Sequence, residues 1–395
     1  MLIPKFLSTE KSSSVQVTGG LLRKKNAGLS KLNFLAYLVS MKSLSVTLIC
    51  KNEQHNLARL LPQLSFADEI VVVDTGSTDD TMSVAKKFTK SVFQFAWCDD
   101  FSKARNCAIK HTTCDYVMWI DADDVVPPET QQFLIKWKKD DMGWKKTQNS
   151  ADFLYMKYEM DTQIPFWFWR ERIIRRTQNC RFKGFIHEAI VPFGRVDYLD
   201  CKILHRPSAS HEQRNLAIYR KAMEQGKRFS LRDKFYFAKT LLECGKTAEA
   251  LPILRKFVSN PRAYVVDRVD GYKLLSHLAQ SEGSFAQARK LLTQSLAILP
   301  PSSEVCCLLG NTYFDEQNYR HASQWYTLAL SCNNQYGFVN EYYSKFLPNL
   351  QLSVCLWQLG DRQGATRCHN AAKSICPTDS TILLNDKWFS NIEKE

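Results

Sequence analysis

The sequence predicts an α/β domain with a mostly parallel sheet and an antiparallel extension, followed by an all-α domain of helical repeats. The α/β part is indicated by short apolar runs that alternate with helical segments between Leu44 and Pro128. Strands that are buried on both faces and separated by helices form parallel sheets. The all-α part is indicated by residues 210–395, where helical spacing continues and alanine recurs at one register.

Three apolar runs of strand length predict the parallel sheet, at residues 45–50, 70–74 and 115–120. The segments between them have the spacing or the capping residues of helices, with one further short strand. In chain order these segments are the helix 56–64, the turn 75–80 with a helix that continues to about Lys90, the strand 91–95 and the helix 101–111.

The region after the parallel sheet predicts an antiparallel extension that closes one side of a site. A polar loop, residues 139–150, comes first. The strand-like runs that follow are 153–160, 165–169, 172–175, 182–191 and 196–205. We therefore place the α/β domain at residues 44–209 and the helical repeats at residues 210–395.

Alanine marks the repeats. Four alanines with spacings of 38, 34 and 43 residues occupy one register: Ala250, Ala288, Ala322 and Ala365. Small residues let paired helices approach closely, and stacked pairs bury a continuous core. In the third unit Gly310, Tyr313 and Tyr326 stand at the small and aromatic positions of a tetratricopeptide repeat. The repeats predict a surface that could bind a peptide or protein, or join two copies in a homodimer.

Composition and charge narrow the functional classes. The chain is 45% hydrophobic and 12% aromatic, which excludes a disordered protein. Seven of its basic residues against one acid fall in residues 1–43, and the remaining excess of a net charge of +13 is modest. We therefore expect no nucleic-acid partner. Thirteen cysteines without a CxxC pair predict free thiols in a reducing cytoplasm.

Residues 1–43 are interpreted as a poorly ordered basic leader. Its apolar run, residues 32–39, contains Asn33 and is too short to span a bilayer. We expect a cytoplasmic protein with at most peripheral contact at the inner face of the membrane.

The most informative segment is 116–124, an apolar strand that ends in Asp121, Asp123 and Asp124. Like charges clustered at a buried strand end repel each other, and a divalent cation relieves that repulsion. Carboxylate oxygens suit Mg²⁺ or Mn²⁺. A chance surface cluster is the plain alternative, and the apolar run before it disfavours that interpretation.

Ligands of parallel sheets bind beyond the carboxyl ends of the strands. The segment 51–53, Asp74 and the Asp121 cluster all follow such ends, so we expect them to meet in one crevice. Asp74 could accept a hydrogen bond from a base or ribose. Arg105 could bind a phosphate or a pyrimidine edge, and its alternative is a salt bridge to Asp74 or Asp99.

Several ordered segments resemble the motifs of family 2 glycosyltransferases. The matching segments are 45–53, 70–81, 99–106 and 119–124, continued by 172–176, 182–188 and 203–205. The later blocks, with helical repeats behind them, resemble a narrower group. That group includes lipopolysaccharide-core-type transferases and sublancin-type peptide S-glycosyltransferases.

The resemblance implies a GT-A fold, a divalent metal, inversion at the anomeric carbon and a nucleoside-diphosphate sugar donor, with UDP-hexose as the first choice. Carried over by position, the donor-binding residues would be Lys51, Asn52, Glu53, Asp74, Arg105 and Asp121. The metal ligands would be Asp121, Asp123 and His205. Glu188 would be the catalytic base, with Asp124 in reserve, because an inverting displacement needs a base for the acceptor proton.

The acceptor and two competing functions stay open at this point. A peptide or protein held by the repeats is the favoured acceptor, and an envelope glycan is the alternative. Residues 121–126 loosely fit a haloacid dehalogenase-type phosphatase, although the later motifs of such an enzyme have no convincing copy in the sequence. A non-catalytic scaffold, in which the repeats alone bind a partner, is the third interpretation.

Overall fold

The computed structural model describes residues 42–139, 151–177, 179–207, 211–332 and 338–389. The predicted leader up to residue 41 and most of the predicted polar loop, residues 140–150, lie outside the described residues. Lys42 already belongs to the folded body, since its backbone N–H donates to the carbonyl of Lys138 at 3.1 Å. Among the described helices, none combines the length and the apolar character that a bilayer crossing requires.

The large sheet has a parallel half and a mixed half. The strands are β1 (Leu44–Cys50), β2 (Glu69–Asp74), β3 (Val92–Gln94), β4 (Tyr116–Trp119), β5 (Asp124–Val125), β6 (Phe153–Met160), β7 (Phe166–Arg175), β8 (Phe182–Lys183), β9 (Ala189–Ile190), β10 (Val196–His205) and β11 (Phe338–Asn340). The order across the large sheet is β3-β2-β1-β4-β7-β6-β10-β5, with β11 paired to β7, and β8 and β9 form a separate two-stranded sheet. β1 pairs in parallel with β2 and β4. In the mixed half, β7 and β5 pair antiparallel with their neighbours and β6 and β10 pair in parallel.

Helices cover the sheet and then continue as stacked pairs. The helices are α1 (Gln54–Leu60), α2 (Thr81–Lys86), α3 (Phe101–Lys110), α4 (Pro128–Lys138), α5 (Glu212–Glu224), α6 (Leu231–Glu243), α7 (Thr247–Val258), α8 (Val265–Ser281), α9 (Phe285–Leu296), α10 (Ser303–Asp315), α11 (Tyr319–Ser331), α12 (Leu347–Gln358), α13 (Arg362–Ile375) and α14 (Ser380–Phe389). Leu48 of β1, Leu57 of α1 and Leu134 of α4 belong to the main core between sheet and helices. The predicted fold class is confirmed.

The alanine register corresponds to the second helix of each pair. Ala250 in α7, Ala288 in α9, Ala322 in α11 and Ala365 in α13 are all 0% exposed. At Gly310 a side chain would be excluded, because a Cβ there would lie 2.6 Å from Cε1 of Tyr326. Small residues therefore set the close approach of the paired helices, as the sequence predicted.

Three features differ from the sequence expectation. Residues 182–191 are a hairpin of two short strands, β8 and β9, and Gly184 adopts the left-handed φ of 97° that turns the chain between them. The runs 165–169 and 172–175 belong to one strand, β7. Helix α4 begins at Pro128, a residue suited to a first helical turn, and the apolar pattern had not predicted it.

The repeat region contributes a strand to the sheet. β11 lies between α11 and α12 and pairs antiparallel with the first residues of β7, with Phe338 opposite Phe168 and Asn340 opposite Phe166. No alternating run in the sequence indicated this strand, since it has only three residues. The pairing ties the helical pairs to the strand that carries Arg172.

Candidate active site

The loops after β1 and β2 form one hydrogen-bonded unit at the carboxyl edge of the sheet. Oδ1 of Asn52 accepts from the backbone N–H of Thr78 at 2.8 Å. The N–H of Glu53 donates to the hydroxyl of Thr81 at 2.7 Å. Asn52 adopts a left-handed φ of 57°, a conformation that asparagine tolerates better than most residues. The edge is thus shaped before any ligand binds.

Asp74 stabilises this edge from within. It is 1% exposed, and Oδ2 accepts from the backbone N–H groups of Gly76 and Ser77 at 3.1 and 3.0 Å. Oδ1 accepts from the hydroxyl of Ser77. Both oxygens are therefore engaged by the turn, which differs from the expectation that Asp74 itself would face a base or ribose.

The other predicted donor residues of these loops are more accessible. Lys51 and Asn52 are exposed and Glu53 is half-buried. The Glu53 carboxylate accepts from the side-chain amide of Asn56 at 2.7 Å, which fixes its orientation at the start of α1.

Asp123, Asp124 and His205 meet at the end of β4. Each can offer one ligand atom, and these atoms lie within 4.8 Å of one another. The convergence results from strand register, because β10 pairs antiparallel with β5 and places His205 opposite Asp124. Two carboxylates and an imidazole are a donor set that Mn²⁺ and related divalent ions accept. Asp121, which we expected among the metal ligands, is not part of this group.

Asp124 is the most enclosed member of the group, at 0% exposure. Its Oδ1 accepts from the hydroxyl of Tyr158 at 2.8 Å and lies 3.1 Å from Nδ1 of His205. Its Oδ2 accepts from the N–H of Asp121 at 3.0 Å. A carboxylate so enclosed cannot reach an acceptor, so the structure does not support Asp124 as a reserve base.

Of the three aspartates that follow β4, Asp123 forms the fewest hydrogen bonds with other side chains among the described residues. In the described residues its nearest basic group is Nδ1 of His205, at 3.6 Å from Oδ1. Burial raises the pKa of Asp123 to about 6, His205 opposes that rise, and Asp121 and Asp124 add to it. Burial alone would lower the pKa of His205, but the hydrogen bond with Asp124 and the charge of Asp123 raise it. Because the Asp123 carboxylate is partly buried beside two other carboxylates, a bound cation would stabilise its charged form.

Arg105 joins Asp121 to Glu188. Its Nη2 lies 2.6 Å from Oδ1 of Asp121, and its Nε lies 2.5 Å from Oε1 of Glu188. Burial alone would raise the pKa of Asp121, but Arg105 holds it well below its usual range. The partners of Arg105 are thus neither Asp74 nor Asp99, and its pairing accounts for the separation of Asp121 from the metal group.

Two further residues of the site, Arg172 and Tyr158, had no role predicted from the sequence. Arg172 is 0% exposed, and its Nη2 lies 3.4 Å from Oδ2 of Asp124. Its guanidinium carbon lies 3.9 Å from the ring centroid of Trp119 and 4.2 Å from that of Tyr158. An arginine inside an apolar strand was the available signal, because a buried guanidinium needs a carboxylate partner.

Replacement of Arg172 by methionine is expected to lower the free energy of unfolding by about 3 kcal/mol, because it leaves Asp124 without its cation. Urea unfolding of the purified chain measures the change. The matched control is Arg175→Met on the same strand, since the Arg175 ion pair with Asp152 is partly exposed and should contribute about 1 kcal/mol or less. A stability change in Arg172→Met no larger than in the control would contradict the assignment.

Comparisons with known proteins fit this geometry. The family described as glycosyl transferase family 2 matches residues 45–190. A tetratricopeptide repeat matches residues 303–336, the segment that contains α10 and α11. The chain therefore carries a family 2 glycosyltransferase domain followed by tetratricopeptide repeats.

Individual relatives are similar to parts of the chain. The SPbeta prophage-derived glycosyltransferase SunS of Bacillus subtilis is 25% identical over 256 residues, which cover 60% of this chain and 58% of that protein. A TPR repeat-containing protein of Synechococcus elongatus is 28% identical over 159 residues, covering 38% and 36%. An uncharacterized glycosyltransferase of Rickettsia prowazekii is 30% identical over 127 residues, covering 32% and 40%. The chain thus spans between 36% and 58% of the length of these relatives.

Proposed function

We propose that the chain is a metal-dependent, inverting glycosyltransferase that moves a hexose from a nucleoside-diphosphate sugar to a peptide or protein side chain. The observation that carries the proposal is the group Asp123, Asp124 and His205. Its two carboxylates lie inside the segment that matches glycosyl transferase family 2, and His205 joins them from the end of β10. Mg²⁺ or Mn²⁺ is the proposed ion.

Asp123 and His205 would hold the metal, with Asp124 as the buried third ligand. The fit is supported by Asp123, a carboxylate beside two further aspartates whose basic partner among the described residues is the His205 imidazole. When bound, such a metal ion neutralises the departing diphosphate as a Lewis acid. Arg172 and Tyr158 hold the Asp124 carboxylate in place by the ion pair and the hydrogen bond described above.

Donor recognition is proposed for the carboxyl edge of the sheet. The exposed loop residues Lys51 and Asn52, together with Glu53, would contact the nucleoside. Asp74 would act indirectly, because its oxygens hold the neighbouring turn. Arg105 would orient Asp121 toward the donor through its ion pair.

Glu188 is proposed as the base that takes the acceptor proton. It is 9% exposed, and Arg105 binds its Oε1, so Oε2 is the oxygen left to face an acceptor. A carboxylate held by a fixed guanidinium is oriented in advance, which a general base requires.

The test is a panel of nucleoside-diphosphate sugars incubated with the full chain, with Mn²⁺ or Mg²⁺ and with a chelator. We expect the chain to hydrolyse one class of donor. Chelation should reduce the rate of hydrolysis at least about a hundredfold, because a bound metal ion stabilises the transition state by several kcal/mol. Calorimetry of the same donors ranks their affinities without an acceptor.

The alternatives predict other outcomes of the same panel. If the chain releases phosphate from a generic phosphate ester and leaves every sugar nucleotide intact, it is a phosphatase of the haloacid dehalogenase type. Absence of both hydrolysis and metal-dependent donor binding would indicate the non-catalytic scaffold. Transfer to an oligosaccharide, with none to peptides, would assign the acceptor as a glycan and leave the glycosyltransferase proposal standing.

A further inference from the structure

The side chain of Asp267, near the start of α8, is largely buried and has no hydrogen-bond or ion-pair partner among the described residues. Asp267 is 7% exposed, and within the described ranges its side chain forms neither a hydrogen bond nor an ion pair. Buried carboxylates are ordinarily paired, because desolvation is costly. Burial raises the pKa of Asp267 to about 6, and the charges of Arg232 and Lys239 oppose that rise without reaching ion-pair distance.

Asp267 lies near an aromatic shelf, which we define as the stacked rings of His187 and Tyr236. The ring centroids are 4.1 Å apart and the planes differ by 22°. Arg232 holds the shelf, since its guanidinium carbon lies 4.7 Å from the Tyr236 centroid and its Nε and Nη2 donate to the carbonyl of His187, each at 3.4 Å. Tyr236 also packs against the core cluster that contains Ala263 and Tyr272, which flank Asp267 in the chain, and the helices α6 and α8 are in contact. The charge of Asp267 accordingly raises the pKa of Tyr236, in addition to the effect of burial.

The shelf begins at the proposed base. His187 precedes Glu188 and has a left-handed φ of 52°, a strained conformation that a histidine holds only when its surroundings fix it. Glu188 is held by its ion pair with Arg105, and His187 is held by stacking on the Tyr236 ring of α6. The aromatic shelf therefore leads from the proposed base toward Asp267.

We propose that the aromatic shelf and Asp267 form an acceptor subsite in which Asp267 binds the ammonium or guanidinium group of a basic residue in a peptide acceptor. The inference rests on the proposed glycosyl transfer and adds the substrate class. A cationic side chain supplies the charge-assisted hydrogen bond that Asp267 lacks, and its aliphatic stem packs on the rings of the shelf. Burial and the charges of Lys239 and Arg232 lower the pKa of His187 to about 3, so the histidine is neutral and adds no further positive charge to that of Lys239 and Arg232.

The test uses two fluorescein-labelled pools of random hexapeptides that differ at one fixed position, lysine in one and the uncharged isostere norleucine in the other. Fluorescence anisotropy with the full chain should show binding of the lysine pool about tenfold tighter than of the norleucine pool. Asp267→Asn should abolish this preference. Its melting temperature should rise, because the substitution removes a buried charge that lacks a partner.

Asp270→Asn is the matched control on the same helix. Asp270 is already paired with Lys273 at 2.6 Å, and Lys273 keeps Glu304 as a second partner, so this variant should retain the lysine preference. Equal binding of the two pools by the wild type, or a lysine preference that survives in Asp267→Asn, would overturn the subsite. So would Asp267-dependent binding of neutral oligosaccharides alone. Donor hydrolysis is measured in parallel, so failure of the subsite is distinguishable from failure of the proposed function.

Discussion

Asp123→Asn is expected to lower metal-dependent donor hydrolysis about a thousandfold, since loss of a metal ligand removes several kcal/mol of transition-state stabilisation. Asparagine keeps the shape of the side chain and removes the charge that attracts the cation. The buried site supports this expectation because Asp123 has no lysine or arginine ion pair among the described residues that could replace the metal. Steady-state hydrolysis at saturating Mn²⁺ gives the rate, and calorimetry gives the affinity for metal and donor.

Asp200→Asn is the matched control for that substitution. Its side chain is 87% exposed and pairs with Lys157 on the outer part of the sheet, so hydrolysis should change less than about twofold, as surface substitutions ordinarily do. Both variants should unfold at similar urea concentrations. Unchanged hydrolysis in Asp123→Asn, with metal affinity intact, would remove Asp123 from the metal site.

Glu188→Gln is expected to reduce donor hydrolysis about a hundredfold to ten-thousandfold, the usual contribution of a general base. Donor affinity should stay within about threefold of wild type, because the substitution removes a proton acceptor and keeps the shape of the side chain. Measured together, rate and affinity separate Glu188 from Asp123, whose substitution should weaken metal-dependent donor binding as well.

Stability needs a separate check in Glu188→Gln, because Glu188 also forms an ion pair with Arg105. Arg105 keeps Asp121 at 2.6 Å in the variant, so we expect the fold to persist. Glu129→Gln, an exposed position on α4, is the control for the chemical change. Hydrolysis by Glu188→Gln at more than a tenth of the wild-type rate would exclude Glu188 as the base.

Much of the fold followed from local periodicity. The parallel strands, the carboxylates at the end of β4 and the buried alanine register were all predictable, because burial repeats along a strand or helix at a fixed spacing. The short strands could not be predicted in this way. β5 and β11 have two and three residues, too few for a periodic pattern, and their strand character comes from the partners they pair with.

The candidate site shows the same division. The sequence alone determined that acidic side chains follow a buried strand, that Arg105 and Glu188 belong to the same motif set, and that helical repeats follow. Only the tertiary structure decided that Asp121 pairs with Arg105, that Asp124 joins Asp123 and His205, and that Arg172 neutralises Asp124. These choices depend on contacts between residues far apart in the chain, such as the register of β10 against β5. Local sequence cannot specify which of three adjacent carboxylates meets which distant partner.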